Sequence, residues 1–376
     1  MVMKDKVFFP NLDGLRFFAF LLVFLQHGFG KAITFVRSDY SNLLLRPFIA
    51  GEAGVSFFFV LSGFLITYLI LTEISLNGQV DIISFYIRRA LRIFPLYFLV
   101  VIWGTLVYSQ LKTSFGFPDY IAFDNPLLYF IFLSNFDVIN IIHKGIMGAL
   151  STNITWSVAV EEQFYLVWAS LFYLLKPNLY KYFFPFIIIG SLFFRFWYRD
   201  DSIILYFHTF SVISDMSVGG GCAYLAIQSS VFREFFYNLK RKWIVLIYVL
   251  GLIVFWFEHQ LFTEELKRFV PTIFYAFIIL EQNYSSNSFF KMKNFKNISS
   301  LGKYTYGLYL LHPIAIHFCD ITARLLKINT ETFMRSLLQG LIAFFLSIVL
   351  SYYCYHFIEK KFLKLKNKFS YIQSGG

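Results

Sequence analysis

Apolar residues fall in long blocks along this chain, and ten of the blocks approach the roughly twenty residues that cross a bilayer core. They are 12–31, 52–74, 93–112, 155–176, 180–198, 203–228, 243–260, 268–284, 303–326 and 335–358. An eleventh block, from Pro126 to Ile142, is interrupted by Asn135, Asp137 and Asn140. The pattern predicts an all-α polytopic membrane protein, with about ten transmembrane helices around a polar cavity. No internal repeat, low-complexity tract or water-soluble domain breaks it. Residues 1–360 read as one transmembrane domain and residues 361–376 as a short basic cytoplasmic tail.

Composition agrees with that reading. The chain is 58% hydrophobic and 15% charged, with a mean hydropathy of +0.62, whereas a soluble domain is near half apolar and a quarter charged. The formal net charge of +11 would point to nucleic acid in a soluble protein; here the positive-inside rule accounts for it. If 126–142 does not cross and the N-terminus is cytoplasmic, the inner loops hold Lys4, Lys6, Arg88, Arg89, Arg92, Lys176, Lys181 and the lysine-rich stretches at 233–242, 291–303 and 360–368. That arrangement places twenty basic residues inside against twelve outside. Making 126–142 a span would put the three lysine-rich stretches on the wrong face. Ten spans with both termini cytoplasmic is therefore expected, with 126–142 as a re-entrant or outer-surface element packed on protein. Lys4 and Lys6 precede a first span that reads as a retained anchor and not a cleaved signal peptide. Cys222, Cys319 and Cys354 lie in apolar blocks without paired spacing, so neither a disulfide framework nor a zinc site is expected.

Polar residues inside the blocks carry the candidate chemistry. The first block, "LDGLRFFAFLLVFLQHGFG", holds Arg16 and His27 where lipid tails would lie, a cost of a few kcal/mol for the charged one. Eleven residues turn a helix about 20° past three full turns, so the two share a face about 16 Å apart. A fixed cation then lies in the inner half and a titratable imidazole near the outer end. Taken alone, the pair also reads as an interfacial histidine and an arginine snorkelling inward. The fourth block, "TWSVAVEEQFYLVW", places Glu161 and Glu162 at nearly the depth of His27. Intramembrane acids face polar cavities and mark function. Tyr165 follows Glu161 at i+4 and shares its face. A histidine within reach of a carboxylate is a general-base arrangement, so Glu161 is expected to support His27.

In "FYIRRALRIFPLY", Arg88, Arg92 and Arg89 point to about 0°, 40° and 100° on a helix, one cationic arc at the inner surface. Pro95 suits the first turn of the span that follows. The arc reads either as contact with anionic lipid or as a phosphate site at the inner entrance of the cavity. In "GVSFFFVLSGFLIT", Gly54, Ser62 and Gly63 predict close helix packing. In "GKYTYGLYLLHP", His312 stands before Pro313, which frees a backbone carbonyl one turn earlier, and a structural role for His312 is expected over a catalytic one. Asp215, in "ISDMSVGGG", is a further cavity candidate beside Glu162, Ser62 and His312. No metal site is expected.

Five of these stretches, all but the one around Asp215, resemble the membrane acyltransferase type 3 family, in the family's order and over roughly residues 8–360. The resemblance implies an integral membrane O-acyltransferase, by default an O-acetyltransferase. It would move an acyl group from cytosolic acyl-CoA, acetyl-CoA foremost, to hydroxyls of an extracytoplasmic or lipid-linked glycan. It implies His27 as the catalytic histidine, Arg16 as its partner in the motif, Arg89 with Arg92 as the pair linked to the donor, and Glu161 and Tyr165 as the glutamate motif. Arg88 is an extra arginine grouped with the donor pair. Acyl-CoA, a glycan acceptor and membrane lipids are the expected partners, without nucleic acid, in a bacterial cytoplasmic membrane. Some relatives carry a fused extracytoplasmic hydrolase-like domain, which this chain is expected to lack. His27 would act as a general base or through an acyl-histidine, with backbone groups or Tyr165 at the oxyanion. The rival reading is a proton-coupled transporter or exporter of a polysaccharide or small molecule. The lack of evident inverted repeats weighs against it.

Overall fold

The computed structural model describes residues 6–7, 9–36, 45–108, 110, 114, 123–146, 150–328, 332–370 and 373–374. These are helical nearly throughout. The principal helices are α1 (Leu12–Thr34), α2 (Gly51–Asn77), α3 (Ile82–Ile102), α4 (Ser134–His143), α5 (Thr155–Leu174), α6 (Tyr180–Trp197) and α7 (Thr209–Gln228). They are followed by α8 (Arg241–Leu261), α9 (Phe269–Tyr284), α10 (Lys296–Gly302), α11 (Thr305–Leu325), α12 (Phe333–Cys354) and α13 (Lys360–Lys366). Lys6 pairs with Gln373 and Val7 with Ser374 in a two-residue parallel ladder, which brings the two ends of the chain to one face.

Among the described residues, seven segments are long and apolar enough to cross a membrane: Leu12–Thr34, Gly51–Asn77, Ile82–Tyr108, Pro177–Trp197, Ser202–Gln228, Arg241–Leu261 and Phe333–Phe369. The blocks at 155–176, 268–284 and 303–326 are helical too, as α5, α9 and α11. α9 is short, at 16 residues. α5 and α11 carry polar residues that lower their hydropathy, Glu161–Gln163 in one and His312, His317 and Asp320 in the other.

Local sequence explains where the helices stop and start. α2 ends at Gly78, whose φ of 79° lets the chain turn while its N–H caps the Ile74 carbonyl. α3 begins at an Asp81 cap that accepts from the Ser84 N–H. It therefore starts eleven residues before the block expected at 93. The arginine arc lies on the helix itself, and Pro95 falls in its interior, not its first turn. The 126–142 block is not one span. It breaks at Phe132, with φ 58°, into Leu127–Phe130 and α4, and ten residues reach only about 15 Å. Asn135 and Asp137 are buried against protein, and Asn140 is exposed. Asn135 donates to the Thr209 hydroxyl at 3.1 Å and accepts from Gln163 at 2.9 Å, while Asp137 accepts from the Asn125 N–H at 2.6 Å. The stretch expected as a short basic cytoplasmic tail packs against the helices. α13 lies along α3, and Lys366 and Ser370 are buried.

α2 is the central strut. In its most apolar window 72% of the residues are buried, against 17% for α8 at the periphery. α7 lies against α2 at a distance only glycine allows. A Cβ on Gly63 would overlap the Met216 carbonyl, and one on Gly219 would overlap the Val60 carbonyl. Gly54 meets the Ala19 carbonyl of α1 in the same way. Outward faces stay apolar and exposed. Phe186, Ile189 and Trp197 of α6 are 66–76% exposed, a surface suited to hydrocarbon and not water.

Because a backbone carbonyl cannot step aside, Gly63→Leu should cost about 1–3 kcal/mol of stability, read as a lower melting temperature in detergent. Gly30→Ala is the control. Nothing lies within 4 Å of a Cβ there, and because alanine favours a helix interior over glycine, its melting temperature should equal or exceed the parent's.

Candidate active site

α1 and α11 bring the two intramembrane histidines together. His27 Nδ1 lies 3.0 Å from His312 Nε2, and the rings stack with centroids 5.2 Å apart and planes 12° from parallel. His312 is fully buried. Its Nδ1 lies 2.8 Å from the Tyr309 carbonyl oxygen and 3.2 Å from that of Leu308. The cause is local. Pro313 has no N–H, so the helix cannot supply the Tyr309 carbonyl with its usual donor, and the His312 side chain does so instead. A carbonyl only accepts, so neutral His312 carries its proton on Nδ1 and offers a lone pair at Nε2. His27 then donates from Nδ1 and keeps its own lone pair on Nε2. In that tautomer Nε2 can accept a proton. Phe20 and Phe24 set their rings against His312 at 5.8 and 6.0 Å. Tyr309 lies 6.1 Å away, its hydroxyl bonded to Ser157 at 2.7 Å.

Glu161 does not take the place beside His27 that the sequence led us to expect. Its Oε1 accepts from Ser62 Oγ and from the Tyr165 hydroxyl, and those two oxygens are themselves 3.2 Å apart. Tyr165 sits one turn along the same helix and Ser62 arrives from α2, so hydroxyls close at hand satisfy the carboxylate. The Tyr165 hydroxyl is therefore engaged by an acid and does not stand ready for an oxyanion. Its ring lies 5.6 Å under the Arg89 guanidinium, which Phe85 faces at the same distance. Glu161 thus orients the ring that carries Arg89. Glu162 lies within electrostatic reach of Arg89, and its Oε1 is buried without a hydrogen-bond partner.

The basic cluster draws on three helices. Arg16 pairs with Asp13 one turn earlier and lies within reach of Arg92 and Tyr165. Arg89 Nε is buried without a hydrogen-bond partner, whereas Arg92 is exposed. Arg88 departs from its expected grouping. It donates to Glu73 at 2.7 Å and to the Phe369 carbonyl at 2.8 Å, so it braces α2, α3 and the C-terminal segment and is not open to a ligand. The cluster includes a residue the sequence reading passed over. Lys366 is 8% exposed and lies within electrostatic reach of Arg16, Arg88, Arg89 and Arg92. In "KKFLKLKNK" nothing distinguishes it from its neighbours.

Asp215 is not a free cavity acid. It is wholly buried and accepts from Arg268 Nε at 2.8 Å and from the Thr272 hydroxyl at 2.9 Å, an ion pair that locks α7 to α9. A second acidic group, Glu52, Glu258 and His259, brings one ligand atom from each within 4.8 Å of the others. Arg46 already donates to Glu258 there and lies 3.5 Å from His259 Nε2, so a guanidinium supplies the positive charge that a metal would.

An imidazole pair between α1 and α11 and a cationic cluster drawn from α1, α3 and α13 lie inside an apolar helical bundle. Residues 9–356 match the family described as "Acyltransferase domain", and the chain belongs to that family. It is 26% identical over 361 residues to peptidoglycan O-acetyltransferase OatA of Listeria monocytogenes, covering 89% of this chain and 53% of that protein. It is 26% identical over 336 residues to O-acetyltransferase OatA of Staphylococcus aureus, covering 84% of this chain and 52% of that one. The chain spans about half the length of these curated relatives. No solved structure matches it.

Asp215→Asn would leave Arg268 buried without its counter-charge. A loss of about 3 kcal/mol is expected, seen as a lower melting temperature in detergent. Asp215→Leu combined with Arg268→Met should recover most of it.

Proposed function

We propose that this chain is an integral membrane O-acyltransferase that moves an acetyl group from cytosolic acetyl-CoA to a glycan hydroxyl on the far side of the membrane. The observation that carries the reading is the 3.0 Å contact between His27 Nδ1 and His312 Nε2, because it leaves His27 Nε2 as the basic nitrogen. Ten crossings with both ends cytoplasmic fit this scheme. The pairing of residues 6–7 with 373–374 calls for an even number, and the lysine and arginine bias orients it. The Listeria relative is named for peptidoglycan, which supports a cell-wall or lipid-linked glycan in a bacterial cytoplasmic membrane as the acceptor.

The donor enters from the face that carries Arg89 and Arg92, whose guanidinium forks suit its phosphates. Its pantetheine arm runs past Arg16 toward His27, a separation of about 16 Å along α1. The acceptor hydroxyl gives its proton to His27 Nε2 as its oxygen attacks the thioester carbonyl. His312 Nε2 accepts from His27 Nδ1 throughout and stabilises the imidazolium that forms. The tetrahedral intermediate then breaks its C–S bond, and the leaving thiolate takes the proton back from Nε2. The products are an O-acyl glycan and free thiol. General-base assistance of this kind contributes roughly 10²–10⁴ in rate.

His27→Ala should abolish acetyl transfer while the melting temperature holds, and a variant still working at near parental rate would end the assignment. His312→Ala should lower kcat about a hundredfold, with the donor KM within about twofold. Arg89→Ala with Arg92→Ala should raise the donor KM at least tenfold in a radiolabelled acetyl-CoA transfer assay. An unchanged donor dependence would return those arginines to lipid contact.

A further inference from the structure

His27 reaches His312 only at one rotation of α1 about its own axis. At about 100° per residue, Phe20 and Phe24 point about 20° and 60° away from His27. Both set their rings against His312, at 5.8 and 6.0 Å, so α11 covers that arc. About 80–100° to one side lie Ala19 and Gln26, and both meet α2. A Cβ on Gly54 would overlap the Ala19 carbonyl, and the Gly51 N–H donates to Gln26 Oε1 at 2.7 Å. About 100° to the other side lies Gly28, and it meets α12. A Cβ on Gly340 would fall 2.6 Å from the Gly28 carbonyl oxygen and 2.8 Å from the Phe29 ring. The residues on either side of His27 in the chain are thus each held by a different helix.

The Gln26 bond is the side-chain part of this hold. Gly51 is the first residue of α2, so its N–H has no acceptor within its own helix. Gln26 supplies one from α1, and the N–H it faces fixes the carboxamide with its oxygen toward α2. Glycine is what admits it: a Cβ on Gly51 would fall 2.9 Å from Gln26 Oε1 and 3.1 Å from its Cδ. An imidazole lies about 5–6 Å from the helix axis, so turning α1 by about 10° would carry it through about 1 Å. That is enough to break the 3.0 Å contact between His27 Nδ1 and His312 Nε2. A misplacement of about 1 Å at a reacting group costs roughly a hundredfold in rate.

We infer that Gln26 is a positioning residue for His27: by accepting from the first N–H of α2 it fixes the rotation of α1, and Gly340 of α12 closes the opposite side. The inference rests on the general-base reading of His27 given above and adds to it the residues that aim the base. The oxygen of Gln26 is committed to α2, so losing it changes where the imidazole points and leaves the phosphate-binding arginines in place. Its effect therefore belongs in kcat and not in the donor KM.

The test uses the full chain in proteoliposomes, with radiolabelled acetyl-CoA as donor and an N-acetylglucosamine oligomer as acceptor. Gln26→Met keeps the length of the side chain and removes the acceptor oxygen. Its kcat should fall at least about tenfold, with the donor KM within about twofold. Gln26→Glu returns an oxygen to the Gly51 N–H and should recover most of the loss. Gly340→Ala should lower kcat in the same way, whereas Gly30→Ala, whose Cβ meets nothing within 4 Å, should not. A second readout is independent of turnover. With isotopically labelled histidine, solid-state NMR reads the coupling across the Nδ1–H···Nε2 bond between His27 and His312. That coupling should vanish in Gln26→Met and persist in Gln26→Glu. An unchanged kcat or a persisting coupling in Gln26→Met overturns the inference, as does a Gln26→Glu variant no better than Gln26→Met. If the parent protein transfers no acetyl group, the functional reading fails instead, and the coupling alone decides whether Gln26 sets the histidine pair.

Discussion

One missing N–H organises the candidate active site. Because Pro313 cannot donate to the Tyr309 carbonyl, that oxygen is left inside an apolar bundle, where an unmade hydrogen bond costs about 1–3 kcal/mol. His312 fills the vacancy through Nδ1 and in doing so fixes which of its nitrogens is protonated. The choice passes through the 3.0 Å contact to His27. A backbone defect therefore sets the tautomer of a side chain on another helix. In hydrolases that use a histidine base, a carboxylate holds the second nitrogen; here a neutral imidazole does so. A second imidazole stabilises the imidazolium less than a carboxylate would. It also avoids placing a charge among Phe20, Phe24 and Phe344 when the site is empty.

The carboxylates serve the opposite end. Glu161 binds Ser62 and Tyr165, and the ring of Tyr165 supports Arg89. This links α2, α5 and α3 into one frame around the basic cluster. The close approach of α2 to α7 at Gly63 and Gly219 and the Asp215–Arg268 pair between α7 and α9 hold that frame from behind. The two halves of the proposed reaction, phosphate binding and proton transfer, are thus set by different helices and joined through α1.

Much of this was legible in the sequence. The apolar blocks located the long helices, and the helical angle between Arg16 and His27 put them on one stripe. Gly54 and Gly63 marked the close contacts of α2. What could not be read were contacts between elements far apart in the chain. The sequence offered Glu161 as the partner of His27 and a structural role for His312, and only packing brings together residues 285 positions apart. The effect of Pro313 on its carbonyl and a structural role for His312 there were visible, but not the contact of His312 with His27. The early start of α3 was missed although Asp81 and Ser84 carry a capping signal, because the arginines that follow interrupt the apolar run by which the span was bounded. Lys366 was hidden for a different reason: five lysines in nine residues give no period that separates the buried one.

The most direct measurement is a cryo-EM structure of the protein bound to a non-transferable thioether analogue of acetyl-CoA. The account predicts the acyl carbon within about 4 Å of His27 Nε2, His27 Nδ1 still on His312, and the phosphates at Arg89 and Arg92. An acyl end seated away from the histidine pair, or His27 turned toward lipid with no passage to the basic cluster, would contradict it.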